Sequence, residues 1–261
     1  MSHTAFRHFF VHAEDGIGWL EYHRPPVNAF DWEMLREAPA ALHALASDPA
    51  VRVIVVASAL EKYFNSGADL KVLAEVRGGA MREWVGICHD QIVRELRICT
   101  KPLLAAIHGV AVGGGLEIAW HCDVRFAADD ARIGQPEINI AFIPPIGATQ
   151  ALARLVGRHR ALRFLYDGEL LPARRALELG LVDEVVPRAR LRDEVMRYAR
   201  RLAGKPGNAL AAIRRCITEG GGVGFDEGLA IELEEAVRLS ESQNFAEGVA
   251  AFLAKRAPRW V

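Results

Sequence analysis

Apolar and polar positions change their rhythm about half-way along the chain. In the first half, short apolar or β-branched runs alternate with stretches of helical spacing. Residues 6–12 and 17–23 read as two strands joined across Asp15-Gly16, with Pro25-Pro26 ending the second. Asp31 is placed to cap a helix over 32–46, which Pro39 would kink or divide. Residues 52–58 carry the run VIVV and suit a strand covered on both faces. The loop KYFNSGADLK follows, then helical sequence to residue 98. Residues 102–108 form another buried strand, GLEIAWHC a helix after it, and 124–127 a further strand. Strand and helix in alternation predict a layered, mainly parallel α/β core.

From Thr149 onward the spacing turns helical. ATQALARLVG, RHRALRFLYDG, LPARRALELG, RARLRDEVMRYARRLAG, NALAAIRRCITEG and FDEGLAIELEEAVRLSES each place apolar residues on one helical face. Gly157, Gly168, Gly180, Gly204 and Gly220 fall near their ends, as C-terminal caps do. Only LVDEVVP, at 181–187, has the pattern of a strand. Gly220–Gly222 reads as a helix-to-helix loop. Leu229, Leu233 and Val237, then Phe245, Val249 and Phe252, recur at core-like spacing, so some of these faces are expected to meet another subunit.

Composition narrows the picture. The chain has 261 residues, about half of them hydrophobic and a quarter charged, with a net charge of −1. That balance is globular and offers no overall field for nucleic acid or an anionic membrane. Twelve arginines lie between Arg154 and Arg201. They read first as the wet faces of amphipathic helices, and alternatively as a phosphate-binding or subunit surface. Cys88, Cys99, Cys122 and Cys216 form no C-x-x-C pair and read as buried small hydrophobes in a reducing compartment. The start, MSHTAFRHFFVHAED, lacks a signal-peptide core, and the most apolar run, VRVIVVASAL at 51–60, is half the length of a membrane helix. A cytoplasmic protein without membrane contact is expected.

The chemistry concentrates in residues 105–147. Gly113-Gly114-Gly115 stands two residues before Glu117, and Glu137 follows in GQPE. A second loop, Asn65-Ser66-Gly67-Ala68-Asp69-Leu70, also joins a strand to a helix. Each loop presents backbone N–H groups at a helix N-terminus, where donors lack internal partners. Two such donors aimed at one point make an oxyanion hole, and two acids beside it are the ingredients of proton transfer. The run GVAVGGG at 109–115 lacks the spacing of a dinucleotide fingerprint, and no G-x-S-x-G elbow occurs.

RPPVNAF at 24–30, YFNSGADL at 63–70, the block from Lys101 to Ile138, GLVDEVVP at 180–187 and EGVAAFLAKRAP at 247–258 together resemble the enoyl-CoA hydratase/isomerase (crotonase) superfamily, over nearly the whole chain and in the same order. The resemblance implies a crotonase-type ββα spiral core over 1–195 and a C-terminal helical trimerisation region over 196–261. It implies a lyase of fatty acid metabolism that adds water reversibly across the 2,3 double bond of an enoyl-CoA, as a homotrimer or a dimer of trimers. The N–H groups of Ala68 and Gly114 map to the donors that hold the thioester oxygen. Both acid positions, Glu117 and Glu137, are glutamate, as hydratases resembling this chain have them. Ala29, Ser66, Ala68, Asp69, Leu70 and Lys255 map to the CoA-binding positions, with Arg256 beside Lys255. Coenzyme A is part of the substrate, and no metal or further cofactor is implied. Trp84 and Phe142 are candidates for the acyl pocket and Trp120 for the core. His108 and His121 read as structural, and Asp123 as an organiser of its loop.

Two departures stand out. Where such hydratases read P-G-A-G-G-T-Q, this chain has Pro144-Pro145-Ile146-Gly147-Ala148-Thr149-Gln150, so Pro145 removes a backbone N–H near the acids. The PPVNAF spacing is closer to the isomerase and multifunctional branches. A double-bond isomerase, or a C–C lyase or hydrolase of CoA thioesters, is therefore the alternative enzyme. A non-catalytic RNA- or CoA-binding protein is the alternative of another class.

Overall fold

The computed structural model describes residues 6–261, so the first five residues of the N-terminal stretch lie outside it. Among the described residues ten strands form two sheets. They are β1 (Phe9–Glu14), β2 (Ile17–Tyr22), β3 (Val53–Ser58), β4 (Tyr63–Asn65), β5 (Leu103–Ile107), β6 (Val110–Val112), β7 (Val124–Ala128), β8 (Arg132–Gly134), β9 (Leu170–Pro172) and β10 (Glu184–Val186). The larger sheet runs β1-β2-β3-β5-β7-β10 and the smaller β4-β6-β8-β9. The pairs β1/β2 and β8/β9 are antiparallel, and every other pair is parallel. The successive pairs β3/β4, β5/β6 and β7/β8 each place one strand in either sheet before the chain turns into helix, which is the expected ββα spiral.

The larger sheet is covered on both faces, as its apolar strands require. Side chains alternate along a strand. Ile54 and Val56 of β3, with Leu103, Ala105 and Ile107, therefore join one core, which also holds Leu35, Trp84, Leu116 and Ile146. Val53, Val55 and Ala57, with Leu104 and Ala106, face a second core closed by Leu191, Val195, Met196 and Ala199. These last residues lie on the helix Leu191–Ala203. The expected division between 195 and 196 falls inside this helix, and its packing ties it to the spiral.

Pro39 does not divide the first helix, which runs unbroken over Trp32–Ser47 from the Asp31 cap. Met34, Leu35, Ala38, Ala41, Leu42 and Leu45 are all buried along one face. Their burial outweighs the ~3 kcal/mol that an interior proline costs. The strands of the smaller sheet have three residues each, too short to show alternation, and three of the four adjoin the glycine or acid loops. Cys88, Cys99 and Cys122 are buried as expected, while Cys216 is only partly covered. Among the described residues no helix is long and apolar enough to cross a membrane. Of the twelve arginines, Arg163, Arg175, Arg188, Arg190, Arg192, Arg197 and Arg200 each meet a carboxylate, as the wet faces of helices do.

One buried cation joins the C-terminal helices to the spiral. Arg214, on the helix Gly207–Thr218, meets Asp123 at 3.0 Å and donates to the carbonyls of Leu96, Arg97 and Cys99 at 2.6–2.9 Å. These carbonyls end the helix Arg94–Ile98, where a cation is favoured. Asp123 in turn accepts from the Leu103 N–H at 2.8 Å. Replacing Arg214 by Met leaves three carbonyls without their side-chain donor and Asp123 without its cation. Arg214→Met is therefore expected to lose about 3–5 kcal/mol in urea unfolding; unchanged stability would show that the clamp carries no load.

Candidate active site

Two glycine turns touch backbone to backbone. Asn65 is wholly buried at the end of β4, and its side-chain oxygen accepts from the Gly67 N–H at 2.7 Å. Gly67 (φ +82°) and Gly113 (φ +56°) both take left-handed conformations. A Cβ on Gly67 would stand 3.2 Å from the Gly113 Cα, and one on Gly113 would stand 3.0 Å from the Gly67 Cα and 3.0 Å from Oε1 of Glu137. A Cβ on Gly114 would press on Ile146 at 2.6 Å, and one on Gly115 would overlap the Asn65 side chain. Each glycine of the triplet thus faces a different neighbour that a side chain would displace.

Between the turns lies a cavity of about 260 Å³. Ser66, Gly67 and Ala68 form one side, and Gly113 and Gly114 another. Phe30, Leu73, Trp84, Phe142, Pro145 and Ile146 supply an apolar wall, and Glu137 and Asn139 are the acidic and amide side chains in it. The Ala68 N–H has no acceptor among the described residues. Gly114 is the second residue of the helix Gly113–Trp120, whose first-turn N–H groups have no partner inside the helix. The cavity therefore has two backbone donors and one carboxyl on a mostly apolar surface.

The two acids occupy different surroundings. Glu137 lies in the 3-10 turn Pro136–Ile140, half-buried, and its Oε2 has no hydrogen-bond partner among the described residues. Burial pushes its pKa up from the usual carboxylate range to about 7. Glu117 falls in the second turn of its helix and is fully buried, so it is not part of the cavity wall. Its Oε2 accepts from the Ala148 N–H at 2.9 Å, the Ile146 N–H also faces it, and its Oε1 has no partner among the described residues. Burial, then the charge of Glu137, raises its pKa well above normal, against those two backbone donors. The loss of an N–H at Pro145 leaves both backbone donors to Glu117 in place.

The remaining expected positions divide. Ser66, Ala68 and Leu70 line the cavity, as do Trp84 and Phe142. Ala29 is buried, with its carbonyl accepting from Arg24 at 2.9 Å. Asp69 caps the helix Leu70–Glu75 and pairs with Arg24 at 3.4 Å. Lys255 is exposed near the C-terminus and is not in the cavity wall. Trp120 packs in the core against Phe164, and its indole N–H donates to the Leu181 carbonyl. His108 bonds the Leu60 carbonyl at 2.8 Å, a structural role. Arg24 escaped sequence reading. It joins Ala29, Asp31 and Asp69, and so fixes the RPPVNAF turn against the Ala68 loop. Its only signal was a cation next to Pro25-Pro26, with acids at 31 and 69.

A model of the family described as enoyl-CoA hydratase/isomerase matches residues 12–261. The chain belongs to this enoyl-CoA hydratase/isomerase family. It is 33% identical over 258 residues to a crotonyl-CoA hydratase of Syntrophomonas wolfei, covering 98% of this chain and 99% of the relative. It is 34% identical over 244 residues to a 2,3-dehydroadipyl-CoA hydratase of Escherichia coli, covering 92% of each. Among solved structures, an enoyl-CoA hydratase from Bacillus anthracis superposes with a TM-score of 0.91 at 31% identity, over 97% of this chain and 99% of the other. A protein from Geobacillus kaustophilus HTA426, described as "Enoyl-CoA hydrates", reaches 0.95 at 34% identity, over 99% and 98%.

The raised carboxyl pKa values have a consequence for this family member's stability. A carboxyl whose folded pKa exceeds its unfolded value favours folding in its protonated form. That contribution is complete below the unfolded value of about 4.5 and is lost as pH rises through about 7 for Glu137. Glu117 acts in the same direction. Thermal midpoints measured from pH 5 to pH 8 should therefore fall more in the wild type than in Glu137→Gln. Parallel curves would show that Glu137 titrates normally.

Proposed function

We propose that this chain hydrates a 2-enoyl-CoA thioester reversibly to the 3-hydroxyacyl-CoA. The observation that carries this reading is the meeting of the Ala68 and Gly114 backbones with the Glu137 carboxyl in one apolar cavity. When water adds at Cβ, negative charge builds on the thioester oxygen. Fixed N–H dipoles from Ala68 and Gly114 stabilise that charge without reorganising, each worth on the order of 3 kcal/mol. Burial raises the pKa of both acids, and the charge of Glu137 adds to the rise at Glu117, so the site keeps a carboxyl proton to give near neutral pH. Glu137 delivers that proton to Cα. Glu117 takes one from the water whose oxygen bonds to Cβ, so the pair ends with the proton count it began with.

The acyl group is neutral in this reading, because no basic side chain lines the cavity among the described residues. Crotonyl-CoA is then a better substrate than an enoyl-CoA with a terminal carboxylate. Self-association belongs to the same reading. Phe225, Leu233, Phe252 and Leu253 are each more than half exposed on the last helices of the single chain, a surface that association into three or six copies would cover. Light scattering at micromolar concentration is expected to give a mass of three or six chains. Three covered cysteines and the absence of a membrane-crossing helix among the described residues support a cytoplasmic location.

One observation favours the isomerase instead: Glu137 alone reaches the cavity wall, and a single acid suffices to move a proton from Cα to Cγ. Mass spectrometry after incubation in heavy-oxygen water separates the two, since label at Cβ marks hydration and a shifted double bond without label marks isomerisation. Glu117→Gln and Glu137→Gln are each expected to lower kcat about a hundredfold or more, the usual worth of a positioned acid–base group. Near-normal turnover in Glu117→Gln with an inactive Glu137→Gln would transfer the assignment to the isomerase. Gly114→Pro and Ala68→Pro each delete a donor and should abolish turnover. Activity surviving in either folded variant would remove that N–H from the mechanism.

A further inference from the structure

The loop at 144–148 is held from both sides. On its inner side, the N–H groups of Ile146 and Ala148 face the buried Glu117 carboxyl, Ala148 at 2.9 Å. On its outer side, two imidazoles take its carbonyls. Nε2 of His89 lies 2.6 Å from the Pro145 oxygen, and Nε2 of His121 lies 3.0 Å from the Ile146 oxygen. A carbonyl only accepts, so each Nε2 must carry a proton. The histidines come from separate elements: His89 from the π-helical turn Cys88–Val93, and His121 from the end of the helix that carries Glu117.

The covalent geometry links the two sides. The carbonyl of Pro145 and the N–H of Ile146 belong to one trans peptide, so they point in opposite directions. His89 and Glu117 thus face opposite ends of the same peptide dipole. His121 takes the carbonyl of the next peptide, that of Ile146, and the Ala148 N–H that meets Glu117 belongs to the peptide after it, so His121 holds the loop between the two donors to Glu117. Donation to a peptide oxygen polarises its N–H, and the bonds of such a chain strengthen one another. Gly147, between these peptides, has φ +91°, and a Cβ there would stand 2.8 Å from His121 Nε2. The loop follows the imidazole closely enough to exclude a side chain.

We propose that His89 and His121 are positioning residues, which fix the backbone of residues 144–148 and through it the Glu117 carboxyl for turnover. The two imidazoles do not touch substrate in this assignment, and neither lines the cavity. The proposal rests on the hydratase reading, in which Glu117 handles the water. Burial, with the charges of Arg97, His89 and Arg214, lowers the His121 pKa against the bond to the Ile146 carbonyl.

The test uses the full-length protein and an enoyl-CoA that the wild type turns over. His121→Met fills similar volume without a donor, and His121→Gln keeps an N–H. His121→Met should lower kcat about tenfold with KM nearly unchanged, because displacing a reacting group by a fraction of an ångström costs rate rather than affinity. His121→Gln should recover most of that loss. His89 is exposed, so His89→Leu should fold normally and lower kcat several-fold, keeping the inference testable if His121→Met is unstable. Wild-type kcat in His89→Leu and a folded His121→Met, no rescue by Gln, or a raised KM at constant kcat would each overturn the inference. Glu117→Gln distinguishes the two levels. Loss of turnover there with normal histidine variants overturns the positioning role alone, and full turnover there overturns the hydratase reading and the positioning role together.

Discussion

The contact between the Gly67 and Gly113 turns is the constraint on which the site depends. Neither turn has a side chain at the point of contact, and each backbone takes a conformation that other residues adopt at a cost. Because the turns meet there, Ala68 and Gly114, one residue further along each chain segment, both reach the same cavity. Asn65 locks the arrangement from below, bonding Gly67 while occupying the space beside Gly115. The position of two amide donors is thereby set by packing that no ligand has to induce.

Electrostatics then decides what such a site can do. Glu117 has lost all contact with solvent and Glu137 is half-buried, so both resist ionisation, and the charge of Glu137 adds to that resistance at Glu117. In their ionised forms two such groups cost stability, which is the pattern expected when chemistry rather than stability maintains them. The backbone of residues 144–148 moderates the penalty for Glu117 by aiming two N–H groups at it. The Pro145 departure leaves this support intact, because the amide it removes is neither of those two.

Much of the core was legible in the residues themselves. The run VIVV was readable because a strand buried on both faces needs no polar alternation, and β3 is buried throughout. The glycine triplet and the two glutamates were readable as a site because consecutive glycines weaken a helix start unless something approaches the backbone, and Glu117 follows them within one turn. The smaller sheet was not, since three-residue strands carry no period. Arg24 and His89 were missed for a related reason, and His121 was read only as structural. The histidines bond backbone carbonyls distant in sequence, which every residue type has, and Arg24 divides its bonds between the nearby Ala29 carbonyl and the carboxylates of Asp31 and Asp69. The enclosure of Glu117 was equally hidden, because helical phase alone does not reveal what closes over a face.

The alternation along β3 and β5 has an effect beyond packing. Odd and even positions of these strands belong to different cores, one shared with Trp84, Leu116 and Ile146, the other closed by the helix Leu191–Ala203. The sheet therefore acts as a bulkhead. A volume change at Val55 disturbs an outer compartment that holds no reactive group, whereas the same change at Ile54, one residue away, enters the compartment that shapes the cavity. Neighbouring positions in the chain are insulated from each other, and the outer compartment is free to drift in sequence without carrying the chemistry with it.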